Sequence, residues 1–371
     1  MRRGLAAVVA FVAVMASGLL WGGAQALAAS NTPLVVGLLL PPDEPEAVSI
    51  RQGTLAAAEE ANESSGPRVR IAVRGKKGPW GSDASEAALL VMDDGASALI
   101  APTGGAASHL VLQVSGRTAL PVASLCPDAS VTRASIPWMV RVVPSTLDEA
   151  RLIFSDVPST RWLAFVPAGR AGREALSDLA SALSATSAAS ATSVAPAGTR
   201  SIARSVETED GVIADAAVRG ILSSVRPEAI LLWLPPAAAG RLARSLRGAG
   251  FRGPLAGPGR LASGAFGAEA GSFAEGVLVP SIAPGPASEA FEARYRRSFG
   301  ADPDLAAALA HDAALLLIRA VRSAGTAEPG RAFAGEKPLP GATGLLTFDR
   351  HGNRLVRLRL CSYRSGRLVR L

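Results

Sequence analysis

The stretch from Leu99 to Thr132 constrains this chain most. An apolar run, Ala98 to Ala101, meets Pro102 and the pair Gly104-Gly105. A segment with Leu110, Val111 and Val114 at helical spacing follows, and then a second apolar run through Leu120, Val122 and Ala123. Apolar runs of this length bounded by turn residues read as buried strands, and the spacing between them as a helix. Two strands joined through a helix lie parallel, and in a parallel sheet the loops at the carboxyl ends of the strands line the ligand crevice. The loops Pro102 to Ser108 and Leu125 to Ser130 are therefore expected to face a ligand.

The same alternation runs along the chain. Pro33 to Leu40 is a continuous apolar strand, as expected where helices cover both faces of a sheet. A helix through Ile50, Leu55 and Ala58, a strand Val69 to Val73 and a helix Asp83 to Asp94 follow. After Ser145 come a helix Asp148 to Phe154, a strand Arg161 to Val166, a helix Arg173 to Leu183, a strand Ile202 to Val206, a helix Val212 to Ser224, a strand Ala229 to Leu234, a helix Ala237 to Ala249 and a short strand near Leu255. Helices Ser288 to Phe299 and Asp304 to Ser323 precede a closing strand, turn and strand at Gly341 to Arg354. The Ala/Ser/Thr-rich run Ser181 to Gly198 reads as a helix end and surface loop, and Trp80 as packing under the loop Gly75 to Gly81 rather than over a ligand.

With 371 residues, 49% apolar and 19% charged, the chain has length for two globular domains. Met1-Arg2-Arg3, the apolar run Leu5 to Leu20 and Ala-Gln-Ala-Leu-Ala-Ala have the form of a secretory signal over residues 1–29, with a retained anchor as the alternative. No cysteine follows the run, and no other stretch is long and apolar enough to span a bilayer, so no stable membrane insertion is expected once the signal is removed. The formal charge of +7 includes a crowded tail, Arg354, Arg357, Arg359, Arg364, Arg367 and Arg370. Val356, Leu358 and Leu360 alternate with these arginines, so the tail reads as the solvated face of a strand, an anionic surface partner being the alternative.

Catalytic and metal chemistry finds few parts. His109, His311 and His351 are scattered, and there is no His-Glu-x-x-His, Cys-x-x-Cys, Gly-x-Ser-x-Gly or phosphate loop. Cys126 with His109 as base is the sharpest nucleophile candidate, but no third orienting group is visible. A bridge between Cys126 and Cys361 is not expected. Aromatic residues interleaved with basic ones, needed for nucleic acid, are missing. No enzyme, cofactor, metal or nucleic-acid partner is expected.

In outline Leu99 to Thr132 resembles the leucine/isoleucine/valine-binding, type I periplasmic binding proteins, whose pattern is strand, Gly-Pro, Ser/Thr-Gly, helix, strand, Ser/Thr-Pro-x-x-Thr. Glu59-Glu60-Ala61-Asn62, Trp138 to Ser145, Gly276 to Pro280 and Ala310-His311-Asp312-Ala313 resemble further family segments. Gly341 to Arg354 is the most specific match. The resemblance implies an α/β fold of two Rossmann-like lobes with parallel sheets joined by a three-strand hinge, lobe 1 over 31–147 and 280–330 and lobe 2 over 148–279 and 331–371. It implies a periplasmic solute receptor that presents its closed form to an ABC permease. An envelope regulator of the same fold, like the peptidoglycan-synthase activators, is the alternative.

The family's ligand-holding letters are replaced here. Its first-lobe Ser and Thr fall at Gly105 or Ala106 and at Pro127. Its second-lobe Tyr falls at Ala171, and its acidic residue after Gly-Pro at Gly259 and Arg260. Backbone amides at Gly104, Gly105 and Ala106, with Arg170 and Arg260, are the remaining donors, Cys126 and Pro127 are the remaining wall, and Asp128 is the one carboxylate expected near the cleft. The substitutions point to a different small ligand, an anion among the candidates, or to a cleft with no small ligand.

Overall fold

The apolar run Pro33 to Leu40 supplies the second of five strands in an all-parallel sheet. A computed structural model describes residues 32–44, 46–78, 81–190, 200–324, 333 and 338–371. Residues 1–29, expected as a signal, and Trp80 lie outside the described residues. The first sheet holds β1 (Leu34–Leu39), β2 (Val69–Arg74), β3 (Ala98–Ala101), β4 (Val122–Ser124) and β5 (Met139–Arg141) in the order β2-β1-β3-β4-β5. Val36 to Leu38 pairs with Ala98 to Ile100, and Leu99 to Ala101 with Val122 to Ser124, so the strand–helix–strand unit of the sequence stands at the sheet's centre. The segment Trp138 to Ser145 supplies β5 as the sheet's edge strand before the chain leaves this sheet.

Helices α1 (Ala47–Glu63), α2 (Ser82–Met92) and α3 (Gly105–Thr118) cover this sheet. Two later helices, α9 (Ser288–Phe299) and α10 (Leu305–Ala324), return to it, and α10 packs along α1. The contact is closest at Gly53, where an added Cβ would lie 2.0 Å from the Ala307 carbonyl oxygen. Gly53→Ala gains about 1 kcal/mol of helix propensity. The overlap with backbone forces the helices apart, at about 3 kcal/mol or slightly more. A net loss of about 2 kcal/mol in urea unfolding is expected, and a stabilised variant would show that the helices separate freely.

The second sheet is built from β6 (Arg161–Val166), β7 (Ser201–Glu207), β8 (Ala229–Leu232), β9 (Leu255–Ala256), β10 (Leu278–Ile282), β13 (Leu358–Arg364) and β14 (Arg367–Arg370), in the order β14-β13-β10-β9-β8-β6-β7. Strands β6 to β10 are parallel and β13 and β14 close one edge antiparallel. Helices α4 (Thr146–Asp156), α5 (Gly169–Ser190), α6 (Asp215–Val225), α7 (Pro236–Gly248) and α8 (Gly264–Ala270) flank it. A box in which Ser145 and Asp148 bond each other's backbone N–H starts α4. Helix α5 is longer at both ends than the 173–183 expected, taking in much of the Ala/Ser/Thr-rich run; residues 191–199 of that run lie outside the described residues.

The chain passes between the sheets three times: from β5 to α4, from β10 to α9, and before β13. The last crossing differs from expectation. Residues 339–354, expected with the second lobe, lie against the first: Leu346 joins its core, and Arg141 N–H donates to the Gly352 carbonyl at 2.8 Å. A turn through Gly352-Asn353 brings Phe348 and Arg354 into an antiparallel bridge, and a further hairpin, β11 (Leu339–Gly341) and β12 (Gly344–Leu346), turns at Ala342-Thr343. The buried Asp312 carboxylate holds this second turn by accepting from Ala342 N–H at 2.7 Å and Thr343 N–H at 2.9 Å. Arg354 is likewise not on a solvated face. It is 6% exposed and donates to the carbonyls of Val142 at 3.0 Å and Thr343 at 2.6 Å, whereas Arg357, Arg364, Arg367 and Arg370 are exposed. Cys126 and Cys361 are both free thiols. Among the described residues no helix is long and apolar enough to cross a membrane.

Candidate functional site

The carboxyl ends of the parallel strands of both sheets converge on one cavity of about 390 Å3. The first sheet contributes Thr103 and Gly104 after β3, Leu125 to Asp128 after β4, and Val143 and Pro144 after β5. The second contributes Pro167 after β6, Trp233 to Pro235 after β8, and Pro258 and Arg260 after β9. Helices bring Ile50 of α1, Thr146 and Glu149 of α4, Ala171 of α5 and Leu305 of α10 to the wall, and β10 and β13 add Pro280, Ile282 and Leu358.

Of the residues expected from sequence, Gly104, Gly105, Cys126, Pro127, Asp128, Ala171 and Arg260 line this cavity. Ala106 and Arg170 do not. Ala106 sits on the outer side of the first turn of α3, and Arg170 points to solvent, where Glu174 at 2.6 Å holds its guanidinium and raises its pKa. Asp128 is not the one carboxylate at the cleft: Glu46, Glu149, Glu174 and Asp178 line it too. The signal for two of these was in the sequence, because Ala171, Glu174, Ala175 and Asp178 share one face of α5 by their spacing of three and four. Nothing local marked Glu46 or Glu149.

The electrostatics are set by ion pairs and hydrogen bonds between distant segments. Arg260 Nη2 lies 2.6 Å from Glu46 Oε2, joining the loop after β9 to the start of α1 across the cleft. Burial works against the Arg260 charge, and Glu46, Glu44 and Glu149 outweigh it and raise the pKa. Glu44 accepts from the Thr103 N–H at 3.1 Å and from the Thr103 hydroxyl, and burial pushes its carboxyl upward. Asp128 accepts from Ser130 N–H and Oγ, each at 2.7 Å. Burial raises Asp178, with Asp128 opposite adding to the effect.

The environment of Cys126 disfavours a nucleophile. It is 1% exposed, and burial pushes its thiol up to about 12, which opposes a thiolate at neutral pH. His109 meets Ser130 Oγ at 2.9 Å and Asp128 at 3.8 Å. His311 is buried inside the first lobe, its Nε2 3.2 Å from Glu60. Among the described residues no group of three or more His, Cys, Asp or Glu is placed to hold a metal ion.

A family profile for periplasmic binding proteins matches residues 33–358. The chain belongs to the periplasmic binding protein family. Solved structures share the fold of this periplasmic binding protein at low identity. The branched-chain amino acid transporter substrate binding protein LivJ from Streptococcus pneumoniae, in complex with isoleucine, is 17% identical, with a TM-score of 0.76 over 92% of this chain and 100% of that one. A leucine binding protein LivK from Thermotoga maritima is 17% identical, with a TM-score of 0.76 over 91% and 97%. A solute binding protein of an ABC transporter from R. palustris, in complex with benzoate, is 18% identical, with a TM-score of 0.77 over 92% and 96%. No curated protein sequence matches.

Glu149 is the most perturbed acid in the cleft of this periplasmic binding protein. It is 8% exposed, and burial pushes its carboxyl up to about 8 against the single hydrogen bond from Gly259 N–H at 3.1 Å. A pKa raised on folding gives stability that is full below the unfolded value of 4.5 and lost as pH rises to about 8. Glu149→Gln keeps an acceptor for Gly259 and has no charge to form. Its melting temperature is expected to gain on the parent progressively between those two pH values and to level off above; a pH-independent difference would remove Glu149 as the cause.

Proposed function

We propose that the protein is a solute receptor of an ABC-type uptake system, exported through the signal over residues 1–29 and working in the periplasm. It closes two lobes around a small molecule and presents the closed form to a permease. The observation that carries this is the cavity itself, walled by the strand ends of two sheets that only three chain crossings join. A ligand that touches both walls favours the closed arrangement by its differential affinity, and the crossings are where a hinge motion is absorbed. Family membership supports the reading, as do neighbours with isoleucine and benzoate bound and described as parts of ABC transporters. The protonated Cys126 supports binding over turnover.

In the family resemblance the second lobe offers a carboxylate after Gly-Pro. Here that place is Gly259, and Glu149 enters it from α4: a Cβ on Gly259 would lie 2.5 Å from Glu149 Oε1. Glu149 is therefore assigned to the ligand site.

The test is thermal unfolding of the mature protein, refolded to strip carried-over ligand, against amino acids, amines, carboxylates and other solutes. A ligand at a hundred times its dissociation constant adds about 2.7 kcal/mol, a shift of several degrees. One stabilising solute that also compacts the protein in small-angle scattering is the expected result. A panel without any shift would overturn the receptor and favour the envelope regulator.

A further inference from the structure

Among the described residues, the guanidinium that lines the cavity and both Thr103 donors are already answered by carboxylates of this chain. The Thr103 N–H and hydroxyl both go to Glu44. The Arg260 guanidinium goes to Glu46, at 2.6 and 3.3 Å. The first turn of α3, where N–H groups would favour an anion, has Asp128 standing over it: a Cβ on Gly105 would lie 3.2 Å from Asp128 Oδ2.

Of the charged groups on the wall, the ones left unanswered among the described residues are acids. Asp178 lines the wall and makes no hydrogen bond or ion pair among the described residues. Glu149, 8% exposed, receives one hydrogen bond, at Oε1 from Gly259 N–H at 3.1 Å, and no other among the described residues reaches its carboxyl. Most of the rest of the wall is apolar, with Ile50, Leu125, Trp233, Leu234 and Leu309. Among the described residues, an anion entering this space would meet two carboxyl groups and no free cation, and a buried charge without a partner is costly. An ammonium would meet its counter-charge.

We infer that the cleft selects a small organic cation, an ammonium group on an apolar body with no carboxylate of its own, held by Asp178 and Glu149. This rests on the receptor reading. The groups facing Glu149 are Asp148 on its own helix, Arg141 from β5, and Gly259 N–H and Arg260 from the loop after β9. Arg260 is already paired with Glu46, so an arriving ammonium draws Glu149 into its ionised form. The carboxyl proton leaves to the buffer as the ion pair forms.

The test is calorimetric titration of the refolded protein with two matched pairs, isoamylammonium against isovalerate and benzylammonium against benzoate, and with leucine, which carries both charges. At least one ammonium is expected to bind, about tenfold or more tighter than its carboxylate partner and than leucine. Its heat should vary with the ionisation enthalpy of the buffer, because a proton is released. Asp178→Asn and Glu149→Gln, each checked for an intact melting transition, are expected to weaken binding about tenfold, and Glu149→Gln to abolish the proton release. Binding of leucine or a carboxylate as tight as the ammonium would overturn the cation and leave the receptor standing. Failure of both ammonium ions would overturn it as well, and the wider solute panel then decides separately whether the receptor reading falls.

Discussion

Asp312→Ala is expected to cost about 4 kcal/mol of stability, because two buried N–H groups and a hydroxyl lose their only acceptor and each unmade bond costs about 1–3 kcal/mol. Asp312 is fully buried on α10, and Ala342 and Thr343, whose N–H groups it accepts, are 3% and 4% exposed. The Thr343 hydroxyl donates to Asp312 and accepts from Arg354 Nη1 at 2.8 Å, and Arg354 in turn reaches the Val142 carbonyl at the end of β5. One carboxylate thus ties the last crossover to α10 and to the first crossover. A fall in melting temperature of roughly 10 °C is expected, with loss of hydrogen-exchange protection at the Ala342 and Thr343 amides. Asp312→Asn should recover part of the loss, since its amide oxygen still accepts while its NH2 faces a donor. His311 supplies a second readout: burial works against its charge, but Asp312 and Glu60 outweigh this and raise its pKa, so it should titrate lower in Asp312→Ala. A loss of stability below about 1 kcal/mol would show that the turn holds without Asp312.

Trp162→Ala is expected to cost about 4 kcal/mol, mostly through the cavity it leaves. Trp162 is fully buried in β6, edge-on to Phe154 of α4 with centroids 5.1 Å apart, and its Nε1–H donates to the Ser159 carbonyl at 3.1 Å. Deleting the indole removes the floor under α4 and leaves the Ser159 carbonyl unpaired. The effect reaches the site because the first turns of α4 carry Thr146 and Glu149 to the cavity wall. Ligand affinity and stability should therefore fall together. Trp162→Phe keeps an aromatic ring against Phe154 and should lose less than half as much in urea unfolding. Equal losses for Ala and Phe would assign the effect to the lost hydrogen bond.

Element order was legible in the sequence to within a few residues. Arg161 to Val166 and Ser288 to Phe299 coincide with β6 and α9 because apolar period and helix or strand ends are local properties. The loops at the strand ends were legible for the same reason: once the sheets are parallel, the residues after β3, β4, β8 and β9 have to share one crevice. The two misplaced site residues, Ala106 and Arg170, each lie one position from a residue that does line the cavity, Gly105 and Ala171. A helix turns by about 100° per residue, so one position decides between the cleft and solvent.

Apolar period and turn residues were enough to specify two parallel α/β units, the crevice at their strand ends and the residues within reach of it. The charge of that crevice and the path of the last crossover emerge from contacts between segments far apart in the chain. Glu46 meets Arg260 and Asp312 captures Ala342 and Thr343 over long stretches of chain, and a carboxylate carries no local pattern that names its partner. Periodicity reports which face of an element is buried; the partner of a buried charge is set by where folding brings distant segments, and here that turned a cleft with two arginines in its loops into an acidic one.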